Sequence, residues 1–176
     1  MLVRSVWLNG TVGVGKTTVG EVLAQHLADA GDAVAFINID DLGRSWPRPD
    51  HDRFNTALVQ QNLASLASNY IDAGSRTIVI AGVIQTNAQL ERYSEALGAT
   101  PQLVRIVAPV GAIEHRLQTR HGPNDQRGLR WHLERAPELD DILDHSDLSM
   151  KTVENTKTPL ATAKAVLEAI GWPTVA

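Results

Sequence analysis

The sequence predicts an α/β protein built on a doubly wound parallel sheet of about five strands, and two observations carry that expectation. Short, nearly continuous apolar runs alternate with longer stretches whose apolar residues recur at helical spacing. Strands that are apolar on both faces belong in parallel sheets covered by helices on each side, and right-handed crossovers then leave a doubly wound sandwich. Residues just beyond the strand ends are therefore the ones to read for function, because ligands of such sheets sit outside the carboxyl ends of the strands.

The elements follow in order. Leu2-Val3 and Val6-Trp7-Leu8 form the first strand, and Val19, Val22, Leu23, Leu27 and Ala30 mark a helix ending at Gly31. Ala33–Ile39 is the second strand, followed by a polar stretch from Asp40 to Asp52 with two prolines. A helix spans Phe54–Ala73 and closes at Gly74, and Thr77–Ala81 is the third strand. A helix over Asn87–Leu97 leads to the fourth strand, Gln102–Val107. Then come a helix over Ala112–Arg120, a polar loop His121–Gly128, a helical stretch to about Leu143 and a strand Ser149–Glu154. The terminal helix opens with Thr158 as N-cap and Pro159 at its first position. There is no repeat, low-complexity tract or long linker, so residues 1–176 read as one domain.

Bulk composition narrows the classes. The formal net charge of −4 gives no reason to expect a nucleic-acid partner. The chain has no cysteine, which removes disulfides and thiolate metal sites and suits the cytoplasm. No apolar run is long enough to cross a bilayer, and cleavage of a signal peptide would take the first strand or the following turn with it. The expectation is a soluble, cytoplasmic protein without a membrane partner, of unspecified oligomeric state.

Between the first strand and the first helix lies Gly10-Thr-Val-Gly-Val-Gly-Lys-Thr-Thr18, which fits G-x-x-x-x-G-K-[ST] without a mismatch. A chance glycine-rich turn is the competing explanation, but the strand before and the helix after are what a phosphate-binding loop requires. Gly10, Gly13 and Gly15 let the backbone curl so that N–H groups, with those of Val14 and Thr18, face phosphate oxygens. Lys16 would reach the outer phosphates of ATP and the Thr17 hydroxyl would hold Mg²⁺. The helix that follows points its positive N-terminus at the same anion.

Three kinds of nucleotide protein compete: a small-molecule kinase, a GTPase-type switch and an ATP-driven motor subunit. The guanine-reading N-K-x-D is absent, since Asn155-Thr156-Lys157-Thr158 lacks the carboxylate. The third and fourth strands run into Gly82-Val83-Ile84 and Ala108-Pro109-Val110, without the acid a motor uses to complete its Mg²⁺ site. The kinase reading gains from Asn38-Ile39-Asp40-Asp41, which puts a carboxylate at the tip of strand two, where it can orient an acceptor hydroxyl, take its proton or help hold Mg²⁺. Solvated turn residues are the plainer explanation for both aspartates, more so for Asp41.

On these residues the chain resembles the small P-loop kinases, the group containing shikimate, gluconate, adenylylsulfate and nucleoside monophosphate kinases and chloramphenicol phosphotransferase. The resemblance spans nearly the whole chain in element order. It rests on the loop Gly10–Thr18, on Asp40 at the strand-two tip, and on Arg116-Leu-Gln-Thr-Arg120, similar to the R-L-x-x-R segment that enters a mobile lid. Many members carry Asp-x-Asp at the tip; here Asn38 replaces the first acid. The resemblance implies Asp40 as catalytic base, Arg116 stacked on adenine, Arg120 on the transferring phosphoryl group, and a lid over about residues 116–130. Two guanidiniums four apart do share one helix face, although a solvated basic helix end is the competing explanation. Arg127 and Arg130 are weaker candidates, and side chains in Asn155–Thr158 at the adenine edge carry little information.

Acceptor specificity is expected from the segment after strand two, with Asp41, Arg44, Trp46, Arg48, His51 and Arg53, and from Gly82, Gln85 and Thr86 at the tip of strand three. Arg44 would clamp an anionic acceptor, Trp46 would stack a ring, and Gly82 would let backbone approach the acceptor. The resulting expectation is an ATP- and Mg²⁺-dependent phosphotransferase in which Lys16, Asp40 and Arg120 are catalytic and Thr17 and Asp40 serve the metal. A nucleotide-binding or ATP-hydrolysing module acting through a protein partner is the rival from another class.

Overall fold

The five strands pair in parallel, the three central ones buried nearly continuously on both faces and the two outer ones less so. In a computed structural model that describes residues 3–122 and 124–173, they are β1 (Arg4–Asn9), β2 (Val34–Asn38), β3 (Thr77–Ala81), β4 (Gln102–Val107) and β5 (Lys151–Glu154). The spatial order is β2-β3-β1-β4-β5, and every pairing is parallel. Helices α1 (Lys16–Asp29), α2 (Ile39–Leu42), α3 (Thr56–Asp72), α4 (Asn87–Leu97), α5 (Val110–Arg120), α6 (Gln126–Asp144) and α7 (Pro159–Ile170) connect and cover the strands. Leu2, part of the expected first strand, and Pro123, in the expected polar loop, lie outside the described residues.

The pleat divides the core in two. Val6 and Leu8 of β1, Val79 of β3 and Val104 and Ile106 of β4 pack with Val19, Leu23 and Leu27 of α1 and Ala163, Val166 and Leu167 of α7. Trp7, Ile78, Ile80 and Leu103 point the other way, onto Val59 and Leu63 of α3 and Tyr93 and Leu97 of α4. Trp7 is fully buried and stacks on Tyr93, ring centroids 5.0 Å apart, while its Nε1 donates to the Gly82 carbonyl at 3.2 Å. Arg105 of β4 is the charged exception in this face, with its guanidinium paired to Asp140 at 2.7 Å and Asp144 at 2.6 Å, both on α6.

The expected elements are all present, with boundaries shifted for local reasons. Helix α3 begins at Thr56 and not at Phe54, because Asn55 sits at φ 53° and the Asp52 carboxylate accepts from the N–H groups of Thr56 (2.7 Å) and Ala57 (3.0 Å). Helix α5 begins directly after Pro109, at Val110. The expected polar loop His121–Gly128 is shorter than its composition suggests. The Asp125 side chain accepts from the Gly128 N–H at 3.0 Å and caps α6, so Gln126, Arg127 and Gly128 form that helix's first turn. Asp40 and Asp41 lie in the short helix α2 and not in an open turn.

Register sets the stage for the site. Leu8 of β1 pairs with Ala81 of β3, and Ala81 pairs with Asn38 of β2, so three strands end level at one edge of the sheet. The glycine loop, α2 and the β3–α4 connection all leave from that edge.

Candidate active site

The loop Gly10–Gly15 is anchored at its root by a side chain inside the core. Asn9, fully buried at the end of β1, accepts from the Gly10 N–H (2.9 Å) and the Ile84 N–H (3.2 Å) through Oδ1 and donates to the Ile84 carbonyl (2.8 Å) through Nδ2. One amide thereby joins the loop to the chain leaving β3. Thr11, also buried, donates from Oγ1 to the Ala136 carbonyl of α6 at 2.6 Å. The loop itself turns through left-handed glycines: Gly13 at φ 76°, where a Cβ would fall 2.8 Å from Leu117 Cγ, and Gly15 at φ 100°.

Lys16 Nζ lies across the curl, donating to the carbonyls of Gly10 (2.9 Å) and Thr11 (2.8 Å). Burial lowers its pKa from 10.5 to about 8, against an upward pull from Asp40 and with a further downward push from Arg120. Asp40 and Arg120, from elements eighty residues apart in sequence, are thus both within electrostatic reach of Lys16. Asp40 also acts on Tyr93, whose hydroxyl is raised chiefly by burial. Among the described residues the Asp40 carboxylate and the Thr17 hydroxyl have no hydrogen-bonded or ion-paired side-chain partner.

The other acidic residue at the β2 tip is used internally. Asp41 accepts from Asn38 Nδ2 at 2.8 Å and pairs with Arg44 at 2.8 Å. An ionised carboxylate only accepts, so it fixes the orientation of the Asn38 amide. Arg44, expected to be an anion clamp and lying just past the end of α2, already has a partner three residues back. Further along, Arg48 donates to the Arg53 carbonyl at 3.1 Å and lies 5.8 Å from the exposed Trp46 ring, and Arg53 covers Phe54. Buried Asn55 holds this segment by donating to the carbonyls of Gly43 (2.8 Å) and Ser45 (3.0 Å).

Gly82 also has a packing reason to be glycine. A Cβ there would lie 2.7 Å from Ile39 Cβ and Cγ1 and 3.2 Å from the Trp7 ring. This close approach, which by itself demands glycine, comes from the protein's own core.

On the opposite side of the loop, Arg116 of α5 donates to the Val14 carbonyl at 3.0 Å and to the Asn155 carbonyl at 2.9 Å. Asn155, which follows β5, is buried; its Nδ2 donates to the same Val14 carbonyl at 2.8 Å and its Oδ1 accepts from Thr162 Oγ1 at 3.0 Å. The segment Asn155–Thr158 seemed uninformative at the level of side chains; Asn155 is the residue that sequence reasoning missed there. A polar residue directly after the last strand, seven before a threonine on the next helix, was the available signal.

Past Arg120, His121 Nδ1 meets Asp125 Oδ2 at 2.6 Å, an interaction that, with the Gly128 N–H, holds the Asp125 carboxyl below its usual range. The His132 ring stacks at a tilt 4.7 Å from His121, its pKa lowered by burial. Arg127 and Arg130 stand on the first two turns of α6.

The residues fit a triphosphate with magnesium. The positive-φ glycines make a curl that no residue with a Cβ could follow, since a Cβ at Gly10, Gly13 or Gly15 would strike Ile106, Leu117 or Asn155. Among the described residues the Lys16 ammonium is hydrogen-bonded only to backbone carbonyls, and Thr17 and Asp40 offer oxygens without a side-chain partner, of the kind magnesium takes.

This sheet order with a glycine loop after β1 defines the P-loop kinase fold. A profile of the AAA domain matches residues 6–136, and the chain belongs to that family. Solved structures agree on the fold. The tunicamycin resistance protein of Deinococcus radiodurans superposes with a TM-score of 0.65 at 17% identity, covering 99% of each chain. A gluconokinase from Sinorhizobium meliloti gives 0.59 at 19% identity over 96% of this chain and 91% of the other. Shikimate kinase from Acinetobacter baumannii gives 0.52 at 20% identity over 96% and 93%. No curated protein sequence matches the chain. Among the described residues no helix is long and apolar enough to cross a membrane.

Proposed function

We propose that this protein is a small-molecule kinase that moves the γ-phosphoryl group of ATP to a hydroxyl or phosphate oxygen of an acceptor. The observation that carries the reading is that Asp40 of α2 and Arg120 of α5 both act electrostatically on Lys16, the first residue of α1 after the glycine loop. Kinases and a resistance protein among the structural neighbours support it at the level of the fold.

In this reading the loop N–H groups and Lys16 bind the β- and γ-phosphates. Asp40 orients the acceptor and takes its proton as the acceptor oxygen attacks phosphorus and the bond to the β–γ bridging oxygen breaks. Arg120 offsets charge on the transferring group, and Arg116 presents its guanidinium plane to adenine. Magnesium, held through Thr17 and Asp40, would neutralise phosphate charge. The connection between α5 and α6 acts as a lid that excludes water. Acceptor contacts come from the segment carrying Arg44, Trp46, Arg48 and Arg53. The rival, a module working through a protein partner, would call for a contiguous apolar face.

Asp40→Asn tests the assignment. The kinase reading expects MgATP affinity to change by less than about threefold while turnover falls at least ~100-fold, the scale of a lost general base. Unchanged turnover would remove Asp40 from the mechanism.

A further inference from the structure

The carbonyl of Val14 accepts two side-chain donors from different parts of the fold: Asn155 Nδ2 at 2.8 Å and Arg116 Nη1 at 3.0 Å. A trans peptide is planar, with its C=O and N–H pointing in opposite directions. Anchoring the Val14 oxygen on one side therefore aims the Gly15 N–H to the other side.

The anchor is itself fixed. Asn155 Oδ1 accepts from Thr162 Oγ1, its backbone N–H donates to the Val107 carbonyl at 2.8 Å, and its own carbonyl receives Arg116 Nη2. Every polar atom of the residue is engaged, and the Thr162 contact sets which end of the amide faces Val14. Gly15 complements the arrangement, because a Cβ at that position would fall 2.5 Å from Asn155 Nδ2. Glycine is required there both for φ 100° and to admit this amide.

We infer that Asn155, oriented by Thr162 and joined by Arg116, is a positioning residue of the phosphate loop: it holds the Val14–Gly15 peptide so that the Gly15 N–H is aimed at a bound phosphate before the nucleotide arrives. The inference rests on the nucleotide-binding part of the kinase reading and needs no acceptor. It also links the two ends of the nucleotide, since the turn at the base side carries the group that shapes the phosphate side. Preorganised donors avoid the cost of reorganising the loop on binding, so the loss of the anchor falls on phosphate affinity and not on base affinity.

The test is calorimetric binding of two probes, MgATP and adenosine, to the wild type, Asn155→Ala and Thr162→Val, with the melting temperature of each. Asn155→Ala is expected to weaken MgATP about tenfold, the worth of one buried hydrogen bond. Adenosine affinity should stay within about twofold, since the base makes no use of the anchor. Thr162→Val, which frees the amide without deleting it and keeps the helix intact, should weaken MgATP about threefold in the same selective way. Equal weakening of both probes, or a lower melting temperature with both affinities unchanged, would reduce Asn155 to a structural residue and overturn the inference. A wild type that does not bind MgATP would overturn the kinase reading together with it, whereas binding without any acceptor turnover touches only the kinase reading.

Discussion

Thr11 and Ala136 join the phosphate loop to helix α6: the buried hydroxyl donates to the helix carbonyl at 2.6 Å across 125 residues of chain. Helix α6 is the one that follows the proposed lid, and Pro137 lies just beyond the contact. Thr11→Val keeps the shape and removes the donor. It should cost about 1 kcal/mol of folding stability, read as a shift in denaturant midpoint at constant slope. An unchanged midpoint would show that the contact contributes nothing.

The Lys16 ammonium gives a pH signature with a definite sign. Its folded pKa, about 8, is below the ordinary 10.5, so between those values the unfolded chain binds more protons. The destabilising effect of charging Lys16 is present in full below pH 8, and this group's contribution makes the ligand-free protein more stable as pH rises from about 8 to 10.5. A bound triphosphate favours the charged lysine, so binding near pH 8 takes up protons and MgATP affinity falls as pH increases further. Calorimetry in buffers of different ionisation enthalpy should detect that uptake, and Lys16→Met should abolish it. Proton release, or none in the wild type, would contradict the assignment.

Gly82 separates two explanations for one glycine. Packing against Ile39 and Trp7 predicts that Gly82→Ala destabilises the fold by about 1–3 kcal/mol, as overpacked cores do. An acceptor-facing glycine would instead leave stability intact and raise the acceptor KM alone. Thermal melts alongside steady-state kinetics distinguish the two.

Arg105 is an ion-pair centre whose partners remain half in solvent, with Asp140 and Asp144 side chains 43% and 62% exposed against 10% for the arginine. Removing the arginine breaks both pairs and deletes the packing of its buried stem, while the two aspartates remain hydrated, so Arg105→Ala should cost about 1–2 kcal/mol. Asp144→Asn leaves the other pair in place and should cost less than about 1 kcal/mol. Equal effects would mean that the two pairs do not share the burden through Arg105.

The parts of this molecule that were legible in sequence are those where one residue type has one physical use. Glycines at fixed spacing before Lys16, and apolar runs too long for one-sided burial, led directly to the loop and the parallel sheet. Polar residues inside those runs were opaque. Asn9, Thr11, Arg105 and Asn155 carry no sequence signal of their own, and their roles come from partners 75 to 141 residues away that spacing does not reveal, except where Arg105 meets α6 35 to 39 residues on. The α6 start was missed for a nearer reason: Gly122 and Gly128 read as loop boundaries, while Asp125 was already capping the helix through Gly128. At the β2 tip, Asp40 and Asp41 look alike in sequence. The structure separates them, because Asn38 and Arg44 occupy Asp41, while Asp40 has no hydrogen-bonded or ion-paired side-chain partner among the described residues.

Phosphoryl transfer at the Lys16, Asp40 and Arg120 site is read out by acceptor-dependent ADP release from MgATP. The acceptors span nucleoside monophosphates, gluconate, shikimate, adenylylsulfate and hydroxyl-bearing antibiotics including tunicamycin, with Lys16→Ala as the blank. A rise in ADP release with one acceptor class, absent in the blank and accompanied by a phosphorylated acceptor in the mass spectrum, is the predicted result. MgATP binding with no acceptor effect across the series would contradict the kinase reading and favour the module that works through a protein partner.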